Sequence, residues 1–328
     1  MQIFKTPNYD FVRWRWHALA VSLVIILAGV YVMWTRGLQY GVEFSGGTIV
    51  IVKFQQPPDL QRVRSALATM PGGGGANAVV QQYGSPEERQ VMIRLAQAGE
   101  ETGGNLSREA DAVVAALKQQ NVGNFEVAGT EIVGPTVGRQ LKRQGMLATV
   151  LALGGILVYI ALRFQLSFAV GAVVATLHDL LVTLSFLAFF RHKYDITLNV
   201  IAAILTITGY SVNDTIVVFD RVRENMRGMR RDNLAQIVNV AVNQTLGRTV
   251  ITAGTTLLSV VDLFLFGGEV LQGFAFAMIV GIVSGTYSTV FIAAAIAILW
   301  QGRKPLKGRA SAAAAAPPAR KPGRRRAS

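Results

Sequence analysis

The sequence predicts an α-helical membrane protein of six transmembrane helices, with a small α+β exported domain inserted between helices 1 and 2. Three observations point there. Charged residues make up only 16% of the chain against 51% hydrophobic ones, where an ordinary soluble domain carries about 25% charge. Several apolar stretches reach the roughly 18 to 20 residues that a helix needs to cross a bilayer. Between the first and second of these lies one polar segment of domain size, residues 35–143.

The expected spans cover residues 16–34, 146–161, 168–190, 198–219, 249–266 and 274–300. Residues 144–300 thus hold helices 2 to 6. The apolar core of the first span is longer than that of a secretory signal, and no A-x-A cleavage site follows it, so it is expected to remain as an anchor.

Orientation follows from Lys and Arg in the short loops. Lys5, Arg13 and Arg15 precede span one, Arg163 lies between spans two and three, and "DRVRENMRGMRRD" lies between spans four and five. Both termini are therefore expected in the cytoplasm, residues 1–15 at one end and the tail 301–328 at the other. That tail carries Arg303, Lys304, Lys307, Arg309, Arg320, Lys321 and Arg324 to Arg326 with no acid among them. Its Ala, Pro and Arg show no periodicity, so it is expected to be disordered. The net charge of +13 reads mainly as an orientation signal and an attraction to anionic lipid, worth about 1 kcal/mol per basic residue near the surface. Nucleic-acid binding by the tail is the lesser reading, and no nucleic-acid partner is expected.

The segment between spans one and two opens with "YGVEFSGGTIVIVKF", β-branched and aromatic residues around a Gly-Gly, as in a strand with a local bend. "DLQRVRSALATM" then spaces Leu60, Val63, Leu67 and Met70 as a helix does. "ANAVVQQYGSPEERQVMIRL" alternates on both sides of a Gly-Ser-Pro turn, as a hairpin does. "LSREADAVVAALKQQ" is helical in pattern, without a full capping box, and "NFEVAGTEIV" closes the series as a strand. The order β-α-β-β-α-β is that of a ferredoxin-like sandwich. The run "PGGGGA" at 71–76 lacks the Lys-Ser/Thr and following helix of a phosphate loop, and is read as a connector. With no Cys in the chain, packing alone must hold this domain, although it faces a compartment where disulfides form.

Span four departs from its oily surroundings. "ITGYSVNDTIVVFDR" places Asn213 and Asp214 inside an apolar run, and Asn199, Thr206 and Tyr210 precede them at spacings that put most of these within one half of a helix. A polar stripe of this kind faces other helices or a water-filled path, and an acid inside a membrane is by default a functional candidate. Span three adds His178 and Asp179. Adjacent residues point about 100° apart, so the two cannot both aim at one neighbour. With three His and no Cys in the chain, a zinc site is disfavoured and no metal or cofactor is expected. A proton relay and a structural bond both remain open for the His178–Asp179 pair.

"YGVEFSGGT" near the end of span one, "IVGPTVGRQL" before span two, "YIALRFQ" after it, "LHDLL" in span three, "GYSVNDTIVVFDRVREN" in span four and "LGRTVITAGTTLL" in span five together resemble the SecF family. That family is the smaller subunit of the SecD/SecF protein-export complex, within the resistance-nodulation-division superfamily. The resemblance runs in order from Arg13 to about Trp300, and the span-four motif is highly specific. Glu43 departs from the family, which more often has Asp there, but acid character is kept. Glu43, Phe44, Gly46 and Gly47 carry the family's Gly-Gly motif.

The resemblance implies a non-enzymatic, multi-pass subunit of the bacterial inner membrane that uses the proton motive force to promote late steps of preprotein translocation through the Sec pathway. It implies SecD, the SecYEG translocon, YajC, unfolded preproteins and protons as partners. It also implies proton coupling at Asp214 with Arg248, Asn213, His178 and Asp179. Arg248, at the start of span five, either pairs with Asp214 or snorkels to the interface. Burial favours a neutral acid and a nearby guanidinium favours the carboxylate, so a small change of geometry can switch one to the other. Two other classes compete. A small-molecule antiporter half of the same superfamily would use a similar carboxylate. An intramembrane aspartyl hydrolase would need Asp179 and Asp214 to share one site.

Overall fold

The computed structural model describes residues 8–70, 75, 78–84, 86–96, 103–164, 166–229 and 231–301. The basic tail beyond Gln301 and, apart from Gly75, the glycine run at 71–76 lie outside the described residues, so the readings made of them fall outside too.

The first span, α1 (Arg15–Arg36), leads through the one-turn helix α2 (Val42–Ser45) into strand β1 (Gly47–Phe54). Helix α3 (Leu60–Ala68) follows, then β2 (Val79–Tyr83), β3 (Gln90–Ala96), α4 (Gly103–Gln119) and β4 (Phe125–Val133). The strands form one antiparallel sheet in the order β2-β3-β1-β4. With helices between β1 and β2 and between β3 and β4, this is the ferredoxin-like topology that the alternation of patterns predicts. Asp59 starts α3 by accepting hydrogen bonds from the backbone of Gln61 and Arg62, satisfying two of the amides that every helix start leaves open. Val50, Val52, Val91, Ile93 and Leu95 point from the sheet onto Val63, Leu67, Val113 and Leu117 of the two helices. The other sheet face carries Ile49, Ile51, Met92 and Tyr83.

The chain then enters α5 (Pro135–Arg163), α6 (Leu166–Phe189), α7 (Leu198–Gly228) and α8 (Leu234–Phe266). The sixth span is α9 (Gly268–Ser288), a π-helical turn at Thr289–Ala293, and α10 (Ala294–Gln301). Six segments among the described residues are thus long and apolar enough to cross a membrane. Helices α6, α7 and α9 form the buried centre, with α1, α5 and α8 on the outside. Gly281 explains how closely α9 approaches α7, because a Cβ there would stand 2.4–2.6 Å from three side-chain atoms of Ile207. Small residues at such crossings let helices gain van der Waals contact where lipid gives no hydrophobic drive.

Four local expectations change. Residues 42–45 are helical where a strand was read, so β1 begins only at Gly47. The cause is backbone geometry: Gly46 and Gly47 take φ of +74° and +140°, values that side chains rarely tolerate. Helix α5 starts at Pro135 rather than 146, with Pro in its first turn, where its missing amide costs nothing. Helix α8 starts at Leu234 rather than 249, fixed by a capping box between Asn233 and Gln236. Hydropathy marks only the lipid-crossing part of such helices. The sixth span, read as one uninterrupted helix, contains the π-helical turn.

Candidate functional site

Asp214 lies 16 residues into α7 from Leu198, about 24 Å along the axis at 1.5 Å per residue. One of its carboxylate oxygens, Oδ1, accepts a 2.8 Å hydrogen bond from the hydroxyl of Thr249 on α8. The other, Oδ2, is buried without a hydrogen-bond partner among the described residues. Thr289, in the π-helical turn, lies close to Asp214, and its hydroxyl is 3.0 Å from that of Thr215. A π-turn inside an α-helix is costly and recurs at functional sites. Arg248 lies within electrostatic range of Asp214 but is exposed and forms no ion pair with it. Direct pairing of Asp214 is therefore with Thr249, the residue next to Arg248.

Asp179 on α6 is held quite differently. Its Oδ1 accepts from Ser284 of α9 at 2.7 Å and faces Nδ1 of His178 at 3.0 Å. Its Oδ2 accepts from Ser211 of α7 at 2.5 Å and from Ser288 of α9 at 2.7 Å. Each oxygen thus has two partners, and the residue is 1% exposed. His178 stacks on Tyr287, whose hydroxyl donates to the backbone carbonyl of Ala18 on α1 at 2.7 Å. The polar knot ties α6, α7, α9 and α1 together. Asp179 and Asp214 share none of these hydrogen-bond partners, so they do not form the joint carboxylate pair of an aspartyl hydrolase.

Asn199, Thr206 and Asn213 lie exposed along one side of α7. On α8, Arg248, Thr252, Thr255, Ser259 and Asp262 are exposed as well. The hydroxyls of Thr252, Thr255 and Ser259 are satisfied by carbonyls one turn back, but Asn213 and Asp262 present an amide and an acid within apolar stretches, and Arg248 a charge at the edge of one. Lipid does not accommodate such groups cheaply. At the opposite end of α8, Asn239 and Asn243 bind the backbone of Tyr9 and Phe11. That clasp fixes residues 9–11 beside the first turns of α8.

The Gly-Gly motif sits where α2, α5 and the sheet meet. Phe44 is buried and makes an edge contact with Tyr40. A Cβ at Gly138 of α5 would stand 3.0 Å from the Phe44 carbonyl oxygen and 3.2 Å from the Gly46 nitrogen, so α5 starts directly on the bend. Glu43 lines a cavity of about 330 Å3 between the helix-free sheet face and the ends of α7 and α9. No cluster of metal-ligating side chains occurs among the described residues.

Sequence reasoning found the two carboxylates but not Thr249, Thr289, Ser211, Ser284 or Ser288. Hydroxyl residues in apolar helices commonly bond their own backbone, so nothing in the sequence separates those that reach across. The serines at 284 and 288, one turn apart, were the available signal.

Comparisons with known proteins agree with this architecture. The family described as "Protein export membrane protein SecD/SecF, C-terminal" matches residues 113–303, and the "SecD/SecF GG Motif" matches residues 31–58. The protein translocase subunit SecF of Vibrio alginolyticus is 41% identical over 298 residues, covering 90% of this chain and 91% of that protein. Its counterpart in Escherichia coli O157:H7 is 38% identical, covering 88% and 87%. Among solved structures, SecDF of Thermus thermophilus, described as a translocon-associated membrane protein, superposes with a TM-score of 0.78 at 32% identity. That match covers 90% of this chain and 39% of the larger SecDF chain. Both the Gly-Gly bend and the span bundle around Asp214 fall inside these matches, and the chain belongs to the SecF family of protein-export membrane proteins.

Proposed function

We propose that this chain is a subunit of the Sec protein-export machinery and that a proton taken up by Asp214 drives the repacking of its helices. The family membership supports the first part. The second rests on one observation: Asp179 is buried with two partners on each oxygen, while Asp214 is half-buried and its Oδ2 makes no hydrogen bond, with the Thr289 hydroxyl nearby. A carboxylate with a free oxygen can accept a proton without first losing a partner. Protonation removes the charge that Thr249 and the nearby Arg248 favour, so the α7–α8 contact loosens. At about 2.3 kcal/mol per charge per 100 mV, a proton crossing roughly 150 to 200 mV supplies about 3.5 to 4.6 kcal/mol. That is a population bias of about three decades at 1.36 kcal/mol each.

In this reading the chain lies in the bacterial inner membrane with both termini in the cytoplasm and the sheet domain outside. The polar sides of α7 and α8, with Asn213, Arg248 and Asp262, face SecD. SecYEG and YajC complete the assembly, and an emerging preprotein is held by the sheet domain and released away from the membrane. His178 and Asp179 act as the fixed centre of the bundle. The work is mechanical, and no covalent chemistry on the client is part of it.

The test is made on native membrane vesicles during preprotein export. An ionophore that collapses the proton gradient should abolish the contribution of this chain, and aspartyl protease inhibitors should leave it intact. Export that depends on this chain but is indifferent to the gradient contradicts the reading.

A further inference from the structure

Helix α7 is a rod with Asp214 near its middle, and its other end is joined to the sheet domain by more than chain connectivity. Asp195 lies on the α6–α7 connection, two residues before Thr197, whose side chain caps α7 by accepting from the backbone of Val200. Asp195 forms an ion pair with Arg94 of β3, and the two side chains are 13% and 12% exposed. Of the ion pairs between described residues, this is the one that crosses from the sheet to the helix bundle.

The register of the sheet explains why Arg94 is the residue that reaches. It sits opposite Val79 on β2 and Ile49 on β1, on the face that α3 and α4 leave uncovered. That face looks across the cavity onto Tyr194, Asp195 and Thr197. Burial lowers the affinity of the Arg94 guanidinium for its proton, and the nearby Glu43 carboxylate opposes that loss. A guanidinium so placed needs its acids. Beside the pair, the backbone of Ile196 exchanges two 2.8 Å hydrogen bonds with Gln39 and Gly41. The start of α7, the Gly-Gly bend and β3 are thereby tied at one junction.

We propose that the Arg94–Asp195 ion pair, backed by Glu43, is the contact through which movement of α7 is transmitted to the sheet domain. The inference rests on the proton-driven reading of Asp214 given above. When α7 tilts or slides on protonation of Asp214, Asp195 moves with its capped end and carries Arg94, and with it β3. Without the pair, the α6–α7 connection holds the segment before β1 through Ile196 but has no charged tie to β3. A partly buried ion pair transmits force because separating it leaves two desolvated charges.

The experiment uses native membrane vesicles carrying the full chain with its partners, and measures export of a preprotein with and without a proton gradient. The variants are Arg94→Asp, Asp195→Arg, the double reversal made together with Glu43→Gln so that two carboxylates do not meet, and Asp214→Asn in parallel. Each single reversal should lower the gradient-stimulated part of export by about fivefold or more, with the gradient-independent part unchanged, and the double reversal should restore it. If a reversal lowers abundance, Arg94→Gln and Asp195→Asn at normal abundance carry the same test of loss. Full stimulation in the single variants overturns the proposal, as does a double reversal that stays low at normal abundance. If Asp214→Asn loses stimulation while the pair variants keep it, only this inference fails. If Asp214→Asn keeps stimulation, the reading of Asp214 fails instead.

Discussion

Thr249 of α8 donates a 2.8 Å hydrogen bond to one oxygen of Asp214 on α7, and the second oxygen of that carboxylate has no partner among the described residues. The asymmetry is what separates Asp214 from Asp179. Three serine hydroxyls donate to Asp179 and Nδ1 of His178 lies 3.0 Å from it, whereas Thr249 donates to one oxygen of Asp214. In the proposed function the first acid is a fixed acceptor and the second takes the proton.

Removing the caged acid should damage the fold. Asp179→Ala strands the hydroxyls of Ser211 and Ser284 and one nitrogen of His178, and leaves Ser288 only its bond to the Gly285 carbonyl. At about 1 to 3 kcal/mol for each buried group left unpaired, the loss should exceed about 3 kcal/mol. Thermal denaturation of the purified protein in detergent should show a large drop in midpoint and low abundance in membranes. An unchanged midpoint would contradict the structural role.

Packing at the α7–α9 crossing should be equally sensitive. Gly281→Ala brings a Cβ against Ile207, an overpacking worth about 1 to 3 kcal/mol. Combining it with Ile207→Ala should recover part of that loss, because the new methyl fills space that the second change opens. Equal instability of the single and double variants would place the strain elsewhere.

The polar sides of α7 and α8 should be covered in the native membrane. The chain has no cysteine, so Thr206→Cys and Ser259→Cys introduce unique thiols. Both should resist a bilayer-soluble thiol reagent and cross-link to a second polytopic chain. Full labelling at both positions would mean that these faces meet lipid.

Topology gives an independent check. Gly84→Cys, beside the β2–β3 turn, should react with a membrane-impermeant reagent from outside the cell, and Gly228→Cys, at the end of α7, only after the cytoplasmic face is opened. Reaction of both from one side would overturn the orientation.

The span count, the β-α-β-β-α-β order and both acids inside apolar helices were legible in the sequence because each produces a local signal. Length and hydropathy mark a helix that must cross lipid, and a carboxylate in such a run has no other reason to be there. The starts of α5 and α8 were not legible from hydropathy, since their first turns lie beyond the apolar stretch and rest on caps at Pro135 and Asn233. Nor was the π-helical turn, whose residues Thr289–Ala293 include no Gly or Pro to mark it. The cross-helix partners of Asp214 and Asp179 come from 32 to 109 residues away in sequence, a distance across which no pattern speaks. Arg248 drew attention by its charge, while the contact itself is made by its neighbour Thr249.

The central claim is that the open oxygen of Asp214 takes the proton that drives the cycle. Asp214→Asn keeps the shape and an oxygen for Thr249 but fixes a neutral group, so the chain should reach normal abundance and assemble with its partners. The most direct measurement is completion of preprotein export in native vesicles carrying this variant, with and without a proton gradient. The account predicts that gradient stimulation is lost, to the level of vesicles lacking the chain, while gradient-independent export is unchanged. Full stimulation by the gradient in Asp214→Asn, at normal abundance, would contradict it.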